Sequence, residues 1–232
     1  MQGGDEENNY QLIKKEGEIM DTNTLELFKP VNFEPATLSV NVDLDDYFFL
    51  QQMQKRIITL NSVIDDEVAN AIVQSIIRIN LDDVGIRIED REPIKLIISS
   101  DGGDVFSGLS IVDVIKNSAT PVHTFNISHW YSMATIIGMV GDKRYATSNA
   151  SFLIHDGTTV IGDSSNKVHD FLKFDAQLQK RMKKIVLDHS LIASSTYTKK
   201  SREEWYFFAD EAKKFGVIDE VIGEDVTLEE VI

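Results

Sequence analysis

The sequence predicts an α/β fold built on a mostly parallel sheet. From residue 56 onward, short apolar runs that suit buried strands alternate with stretches in which apolar residues recur at helical spacing. The chain has 232 residues, 42% of them hydrophobic, which is enough for a sizeable core in one large domain or two small ones. Strands that alternate with helices favour a parallel sheet with right-handed crossovers, so ligands are expected at the carboxyl ends of the strands.

The first predicted strand is followed at once by the first predicted helix. The run at 56–60 suits a buried strand, and Asp65 or Asp66 can cap the helix. The apolar residues of this helix recur at helical spacing and are Val68, Ile72, Val73, Ile76 and Ile77. A polar insert at 81–92 then leads to a second strand at 94–98.

The pair Gly102-Gly103 turns the chain into a second helix, whose apolar face carries Val105, Leu109, Val112 and Ile115. The remaining predicted elements are a strand at 122–127, a helix at 132–140, a strand at 151–155, a long helix at 165–189, a helix at 210–215 and a final strand at 217–222. Gly216 can take the left-handed conformation that ends a helix. Because the long helix is unusual for a single core, part of it is expected to pack on another subunit.

The composition excludes several classes of protein. The formal net charge is −15 and the densest basic patch, 180–184, holds only four charges, so nucleic-acid binding is not expected. Cysteine is absent, which removes disulfides, thiolate zinc sites and cysteine nucleophiles. No apolar stretch approaches the length that spans a bilayer, and residues 1–19 are polar. We therefore expect a soluble cytoplasmic protein without membrane partners.

The N-terminal segment, residues 1–46, differs from the rest of the chain. It is acidic and polar and holds Pro30 and Pro35, two of the four prolines. This composition predicts an extended or mobile arm, or a propeptide that is removed. The folded domain is predicted to occupy 47–232.

Three polar features follow strands of the predicted sheet. The Gly102-Gly103 turn lets backbone amides approach a bound group closely, although such a pair is more often only a turn. Ser132 begins a helix, where a serine is usually a plain N-cap, but where the Met133 amide can also face a developing oxyanion. His155 closes an apolar strand, where a lone histidine is more often a satisfied core or surface residue. Their occurrence in this order on one sheet edge predicts an active site.

These features also match a family. From residue 47 to 222 the chain resembles the ClpP proteases, the serine peptidase subunits of the Clp system, which share the crotonase-like fold. The resemblance rests on five places in the same order, which are 56–60 with 66–70, Ile98-Ser-Ser-Asp-Gly-Gly103, Ser132-Met133-Ala134, Leu153-Ile-His155 and Ala209-Asp-Glu-Ala212 with 215–219. It covers about three-quarters of the chain.

The resemblance implies a role for each of these side chains and amides. Ser132 is the implied nucleophile, and His155 is the implied general base and then acid. The amides of Met133 and of Gly102 or Gly103 form the implied oxyanion hole. A serine hydroxyl needs a base within hydrogen-bond reach, and the tetrahedral oxygen needs preorganised donors. No metal or cofactor is implied.

The resemblance also implies an assembly. The segment at about 157–190 matches the family's handle, a strand and helix that interdigitate between two stacked heptameric rings. The substrates would be unfolded polypeptides inside the chamber of this homo-oligomer. A separate Clp-type ATPase unfoldase would feed them in, because the chain lacks the Gly-x-x-x-x-Gly-Lys-Ser/Thr phosphate loop. The arm at 1–46 could line or plug an axial pore.

One departure from the family bears on activity. An alignment without gaps from Ala209-Asp-Glu-Ala212 puts Lys200 where the family carries its triad aspartate. A cation cannot orient the imidazole or stabilise its protonated form. Glu203 or Glu204 could substitute for the missing acid, and Asp170 is a more remote candidate. As most glutamates are, the two could instead be solvated surface acids.

Two lesser departures lie beside the predicted nucleophile and the glycine turn. Trp130-Tyr131 is bulky where the family has small residues and is expected to narrow substrate access. Asp101 replaces a proline and would weaken the oxyanion hole unless it points to solvent.

Three functions therefore remain open at the level of sequence. The first is a ClpP-like serine endopeptidase subunit. The second is a catalytically weak or inactive ClpP-like subunit, kept for assembly or mixed rings. The third is a crotonase-fold enzyme that acts on thioesters, which Ser132 and His155 argue against because that chemistry needs no serine nucleophile.

Overall fold

The computed structural model describes residues 13–15, 18–20, 47 and 51–232. The chain divides into two compact units, 1–43 and 44–232. In the first, β1 (Ile13–Lys15) and β2 (Glu18–Met20) form an antiparallel pair, with Ile13 opposite Met20. Most of the arm predicted at 1–46 lies outside the described residues, and its status as a propeptide or pore segment stays a prediction.

The second unit contains seven strands in one sheet. Residues 51–54 are helical and precede it. The strands are β3 (Ile57–Leu60), β4 (Ile94–Ser100), β5 (Val122–Tyr131), β6 (Lys143–Thr147), β7 (Ser151–Ile154), β8 (Trp205–Phe208) and β9 (Glu220–Ile222). They pair in the order β3-β4-β5-β6-β9, while β7 pairs with both β5 and β8. Every pairing in this sheet is parallel except β7 with β8.

Within residues 57–232 there are seven α-helices and one short 3₁₀ helix at Ile88–Asp90, and all but the last α-helix lie between strands. The α-helices are α1 (Asp66–Asp82), α2 (Val105–Asn117), α3 (Met133–Met139), α4 (Ser165–Asp188), α5 (Ser194–Lys200), α6 (Ala209–Lys214) and α7 (Leu228–Val231). The predicted α/β fold with a mostly parallel sheet is confirmed. No helix among the described residues is both long enough and apolar enough to cross a bilayer.

Local sequence explains why the early elements form where they do. Asp65 caps α1 by accepting a hydrogen bond from the Val68 amide at 2.9 Å, as the sequence predicts. Alternate residues of β4, among them Leu96 and Ile98, are fully buried and belong to the same apolar cluster as the buried residues of α1 and α2. Gly216 has φ +65 after α6, which confirms the predicted left-handed position.

Strand β5 is longer than predicted and positions the candidate site. The sequence indicates a strand at 122–127, whereas β5 continues to Tyr131. The register between β4 and β5 shifts between Ile98 and Ser100. In its pairings with the other neighbouring strands, β5 bonds β6 through 123–126 and β7 through 129–131. Consequently β5 and β7 run side by side to their carboxyl ends, where Ser132 and His155 follow.

Candidate active site

Ser132 occupies a strained turn between β5 and α3. Its φ of 55 and ψ of −123 lie in a region that residues other than glycine rarely adopt, at a cost of about 1–3 kcal/mol. The Ser132 amide donates to the Leu153 carbonyl of β7 at 3.0 Å, and its own carbonyl accepts from the Thr135 amide at 3.1 Å. Ser132 makes no side-chain cap, so its hydroxyl is left for another partner.

Thr135 holds this turn from inside the core. Its fully buried hydroxyl is a donor shared between the Trp130 carbonyl, at 2.6 Å, and the Leu153 carbonyl, at 2.9 Å. These two carbonyls belong to neighbouring strands on either side of the turn. Nothing in the sequence marks Thr135 as important, because a threonine inside a short apolar helix looks like any other packing residue.

Replacement of Thr135 by valine is therefore expected to destabilise the protein by about 1–3 kcal/mol, because the Trp130 carbonyl stays buried without its donor. In a chain of this size that corresponds to a fall in melting temperature of roughly 2–4 °C per kcal/mol, measurable by calorimetry. Thr135→Ser keeps the hydroxyl and is the matched control. A valine variant that melts with the wild-type protein would show that the hydroxyl does not hold the turn.

His155 follows β7 and faces Ser132. Its Nε2 atom lies 2.8 Å from Ser132 Oγ, within hydrogen-bond reach. The contact follows from the topology, because β5 and β7 are parallel neighbours and residues just past their carboxyl ends share one edge. The structure therefore brings together the two side chains that the sequence indicated.

Glu204 contacts the other nitrogen of the same imidazole. His155 Nδ1 lies 3.0 Å from Glu204 Oε1. The antiparallel register of β7 and β8 pairs Ile154 with Trp205, so the next positions outward, 155 and 204, are directly opposite one another. The Glu204 side chain is 58% exposed, so its charge remains well solvated.

The other acids that the sequence indicated lie elsewhere, as does Lys200. Lys200 is the last residue of α5, and its Nζ atom lies 5.9 Å from the centre of the Trp205 ring. Glu203 is exposed, and its amide donates to the Lys200 carbonyl at 3.1 Å. Asp170 pairs with Lys173 on α4 at 3.4 Å. Of these acids, only Glu204 contacts His155.

The Gly102-Gly103 turn packs against the Ser132 turn. A Cβ atom on Gly102, which has φ +94, would lie 2.8 Å from both Ser132 Cβ and the Tyr131 carbonyl. A Cβ atom on Gly103 would overlap the backbone of Ile64. Both positions therefore require glycine.

Two backbone amides near Ser132 differ in whether they already donate a hydrogen bond. The Gly102 amide donates to Ser100 Oγ at 3.1 Å. The Met133 amide, at the first position of α3, donates to no group in the described part of the chain. It is therefore available to a ligand oxygen at the serine.

Asp101 and the aromatic pair do not intrude on this site. Asp101 is mostly exposed, with Oδ1 3.4 Å from His129 Nε2. Trp130 is fully buried against Phe152, and the Tyr131 hydroxyl lies 2.9 Å from Ser151 Oγ. Neither aromatic side chain lines the cleft over Ser132, so they do not narrow that cleft, and the expectation of narrowed substrate access stays a prediction.

A cleft of about 250 Å³ adjoins Ser132 and His155. It is enclosed by α2, α3, α4 and the segment 155–160. Its apolar walls are formed by Phe106, Ile136, Val160, Phe171, Leu178 and Met182. An activated hydroxyl, an imidazole between that hydroxyl and a carboxylate, and an adjacent free amide are together suited to acyl transfer.

Comparisons with known proteins identify a family. The family described as Clp protease matches residues 44–225. The ATP-dependent Clp protease proteolytic subunit 2 of Corynebacterium diphtheriae is 28% identical over 189 residues, 81% of this chain and 92% of that protein. The subunit of the same name from Corynebacterium efficiens is 30% identical over 176 residues, 75% of this chain and 85% of that protein.

A differently numbered subunit is similar as well. The ATP-dependent Clp protease proteolytic subunit 1 of Streptomyces avermitilis is 26% identical over 180 residues, 77% of this chain and 80% of that protein. The match to the family extends over more than half of the chain and covers all three polar features on the sheet edge. The chain therefore belongs to the Clp protease family and has the α/β architecture of its proteolytic subunits.

Proposed function

We propose that this chain is a serine endopeptidase subunit of an ATP-dependent Clp-type protease, which cleaves unfolded polypeptides through an acyl-enzyme. Membership of the family supports peptidase activity in general. The observation that carries the serine mechanism is the continuous contact from Ser132 Oγ through the His155 ring to Glu204 Oε1, with distances of 2.8 and 3.0 Å.

In the first half of the reaction, Ser132 Oγ attacks the scissile carbonyl while His155 Nε2 accepts the hydroxyl proton. The same proton then passes to the leaving amine nitrogen, which breaks the peptide bond and leaves the acyl-enzyme. Glu204, opposite Nδ1, favours the tautomer with a proton on Nδ1 and stabilises the imidazolium that forms. In the second half, water attacks the ester and gives its proton to His155, which returns it to Ser132 Oγ.

The tetrahedral oxygen needs donors that are already in place. We assign one donor to the Met133 amide, which has no acceptor within the described residues, and the second to the Gly102-Gly103 turn. The Gly102 amide already donates to Ser100 Oγ, so it would exchange or share that bond when the oxyanion forms. Each such donor contributes about 2.7–4 kcal/mol to the transition state.

Assembly into stacked rings is supported by the surface of α4. This 24-residue helix buries only Leu178, Met182 and Val186, while Leu172 and Phe174 remain exposed. The preceding segment, 156–162, forms neither strand nor helix, and Val160 is 92% exposed. Apolar surface left over at the predicted handle, 157–190, suits contact with further subunits. A partner ATPase would supply the energy, and the chain itself would need no cofactor.

The second candidate function is a weak or inactive subunit that serves assembly or mixed rings. It is favoured by one observation: the acid beside His155 is a largely exposed glutamate. An exposed carboxylate is screened by water and orients the imidazole less strongly than a buried one.

A fluorophosphonate probe distinguishes the two functions. The full-length protein is incubated with the probe, its assembly state is checked by sedimentation, and the labelled peptide is identified by mass spectrometry. Label on Ser132 in the assembled particle, absent from the Ser132→Ala variant, is the expected result. An assembled particle without label at Ser132 would support the inactive subunit instead.

A further inference from the structure

The cleft beside Ser132 combines apolar walls with negative charge. Three carboxylates line it, on Asp104, Asp156 and Asp175, and no lysine or arginine does. Its apolar walls include Phe106, on α2, and Leu178, on α4. A cleft of this composition is more selective than a purely apolar one, because it distinguishes side chains of the same length by charge.

The three carboxylates are not equally available to a ligand. Asp104 caps α2, since its Oδ1 accepts from the Ser107 amide at 2.8 Å and from the Ser107 hydroxyl at 2.9 Å. The hydrogen bond from the Ser107 amide lowers the pKa of Asp104, so this carboxylate stays ionised while its Oδ1 is engaged in the helix cap. Within the described chain, the carboxylates of Asp156 and Asp175 have no hydrogen bond or ion pair. The carboxylates of the cleft that have no partner are therefore theirs.

The cleft continues into a second pocket of about 460 Å³, and Asp156 and Asp175 line both. Two buried hydroxyl residues, Tyr197 and Ser201, also line this pocket, and they are only 7% and 5% exposed. Neither hydroxyl has a hydrogen-bond partner among the described residues. Burial raises the pKa of Tyr197, and the charge of Asp156 raises it further. The Asp156 carboxylate is therefore close enough to the Tyr197 hydroxyl to interact with it electrostatically.

The second pocket also carries positive charge. Lys180, Lys183 and Arg202 line it together with the two aspartates, and Lys183 Nζ donates to Thr198 Oγ1 at 2.7 Å. These three cations line the second pocket and not the cleft, so a cationic side chain in the cleft is attracted to the aspartates and repelled from the second pocket. It is therefore expected to stay on the cleft side of Asp156 and Asp175.

On the basis of the proposed function, we propose that Asp175 selects substrates with lysine or arginine as the residue that contributes the attacked carbonyl. The methylene stem of such a side chain packs along Phe106 and Leu178, while its charged end reaches Asp175. Asp175 is the better test of this role than Asp156, because Asp156 adjoins His155 and its amide is bonded to the Ser201 carbonyl at 2.7 Å.

The test uses peptidyl diphenyl phosphonates, which react with an active serine and release phenoxide. Two reagents differ only in the side chain beside the reacting centre: lysine in one and norleucine, which is uncharged, in the other. In the full-length assembled protein, Ser132 is expected to react about tenfold faster with the lysyl reagent. Asp175→Asn is expected to remove most of this difference. Asp170→Asn removes the same charge from the same helix outside the cleft and should preserve the tenfold ratio.

The outcomes separate the inference from the function on which it rests. If Ser132 reacts with both reagents at equal rates, the selectivity of Asp175 is wrong and the serine mechanism stands. A ratio lost equally in Asp170→Asn would indicate a general effect of charge and would also overturn the inference. If neither reagent nor the fluorophosphonate modifies Ser132, the proposed function fails and the inference fails with it.

Discussion

Replacement of Ser132 by alanine is expected to lower the kcat/KM for a short peptide by a factor of about 10⁴–10⁶. The variant keeps the cleft and the free Met133 amide but loses the atom that forms the acyl-enzyme. Ser132 Oγ is also the hydrogen-bond partner of His155 Nε2, so the imidazole loses the group from which it takes a proton. The measurement is hydrolysis of a fluorogenic peptide by the full-length protein.

Two controls make this result interpretable. The variant must sediment as the wild-type protein does, so that the lost rate is not caused by lost assembly. Ser110→Ala removes the hydroxyl of another serine, on α2, which bonds the Ser107 carbonyl and does not line the cleft. It is expected to leave the rate within about twofold. Turnover by Ser132→Ala close to that of the wild-type enzyme would contradict a serine nucleophile.

The second large effect is expected from Glu204→Gln. This change preserves the size of the side chain but removes the negative charge 3.0 Å from His155 Nδ1. Without that charge the imidazolium is less stable in the transition state, and kcat is expected to fall at least 10²-fold, or about 2.7 kcal/mol. The loss should stay below the factor of about 10⁴ associated with a buried acid, because Glu204 is already solvated.

Glu203→Gln is the matched control for this prediction. It removes the same charge one residue earlier, from a side chain that does not contact His155. Its kcat is expected to stay within about threefold of the wild-type value, because only exposed charge at a distance has changed. If both glutamine variants turn over at the wild-type rate, a Ser-His pair acts without an acid. If Glu203→Gln is the slower variant, the register of β7 and β8 in the working enzyme differs from the one described here.

The elements that the sequence predicted well are those with strong periodicity. Helices α1, α2 and α4 and strands β4 and β7 lie within a few residues of their predicted bounds, because their apolar residues repeat on one face or in one run. Strand β6 was missed since Lys143-Arg-Tyr-Ala-Thr147 has no such pattern, and it is stabilised by pairing with β5 and β9. Helix α5 was missed inside a charged segment, and strand β8 was missed because its four aromatic residues, 205–208, form only a short run that directly follows those charges.

Strand β8, which was not predicted, also explains why the sequence could not decide which acid contacts His155. Proximity of Ser132 and His155 follows from the parallel sheet alone, because both come after neighbouring strands. The choice between Glu203 and Glu204 depends on β8 and on its antiparallel register with β7. An alignment without gaps compares positions along the chain, whereas the acid that contacts the imidazole is the residue directly opposite it across two paired strands.

The full burial of Trp130 provides an optical signal for the state of this site. The chain contains two tryptophans, and both are near the reacting groups in sequence: Trp130 precedes Ser132 by two residues, and Trp205 follows Glu204. Trp130 lies wholly inside apolar surroundings, with an indole nitrogen that has no hydrogen-bond partner among the described residues. Its emission is therefore expected to be blue-shifted while the turn is intact and to move to longer wavelengths when water enters, and Trp205→Phe would isolate this signal from that of the second tryptophan.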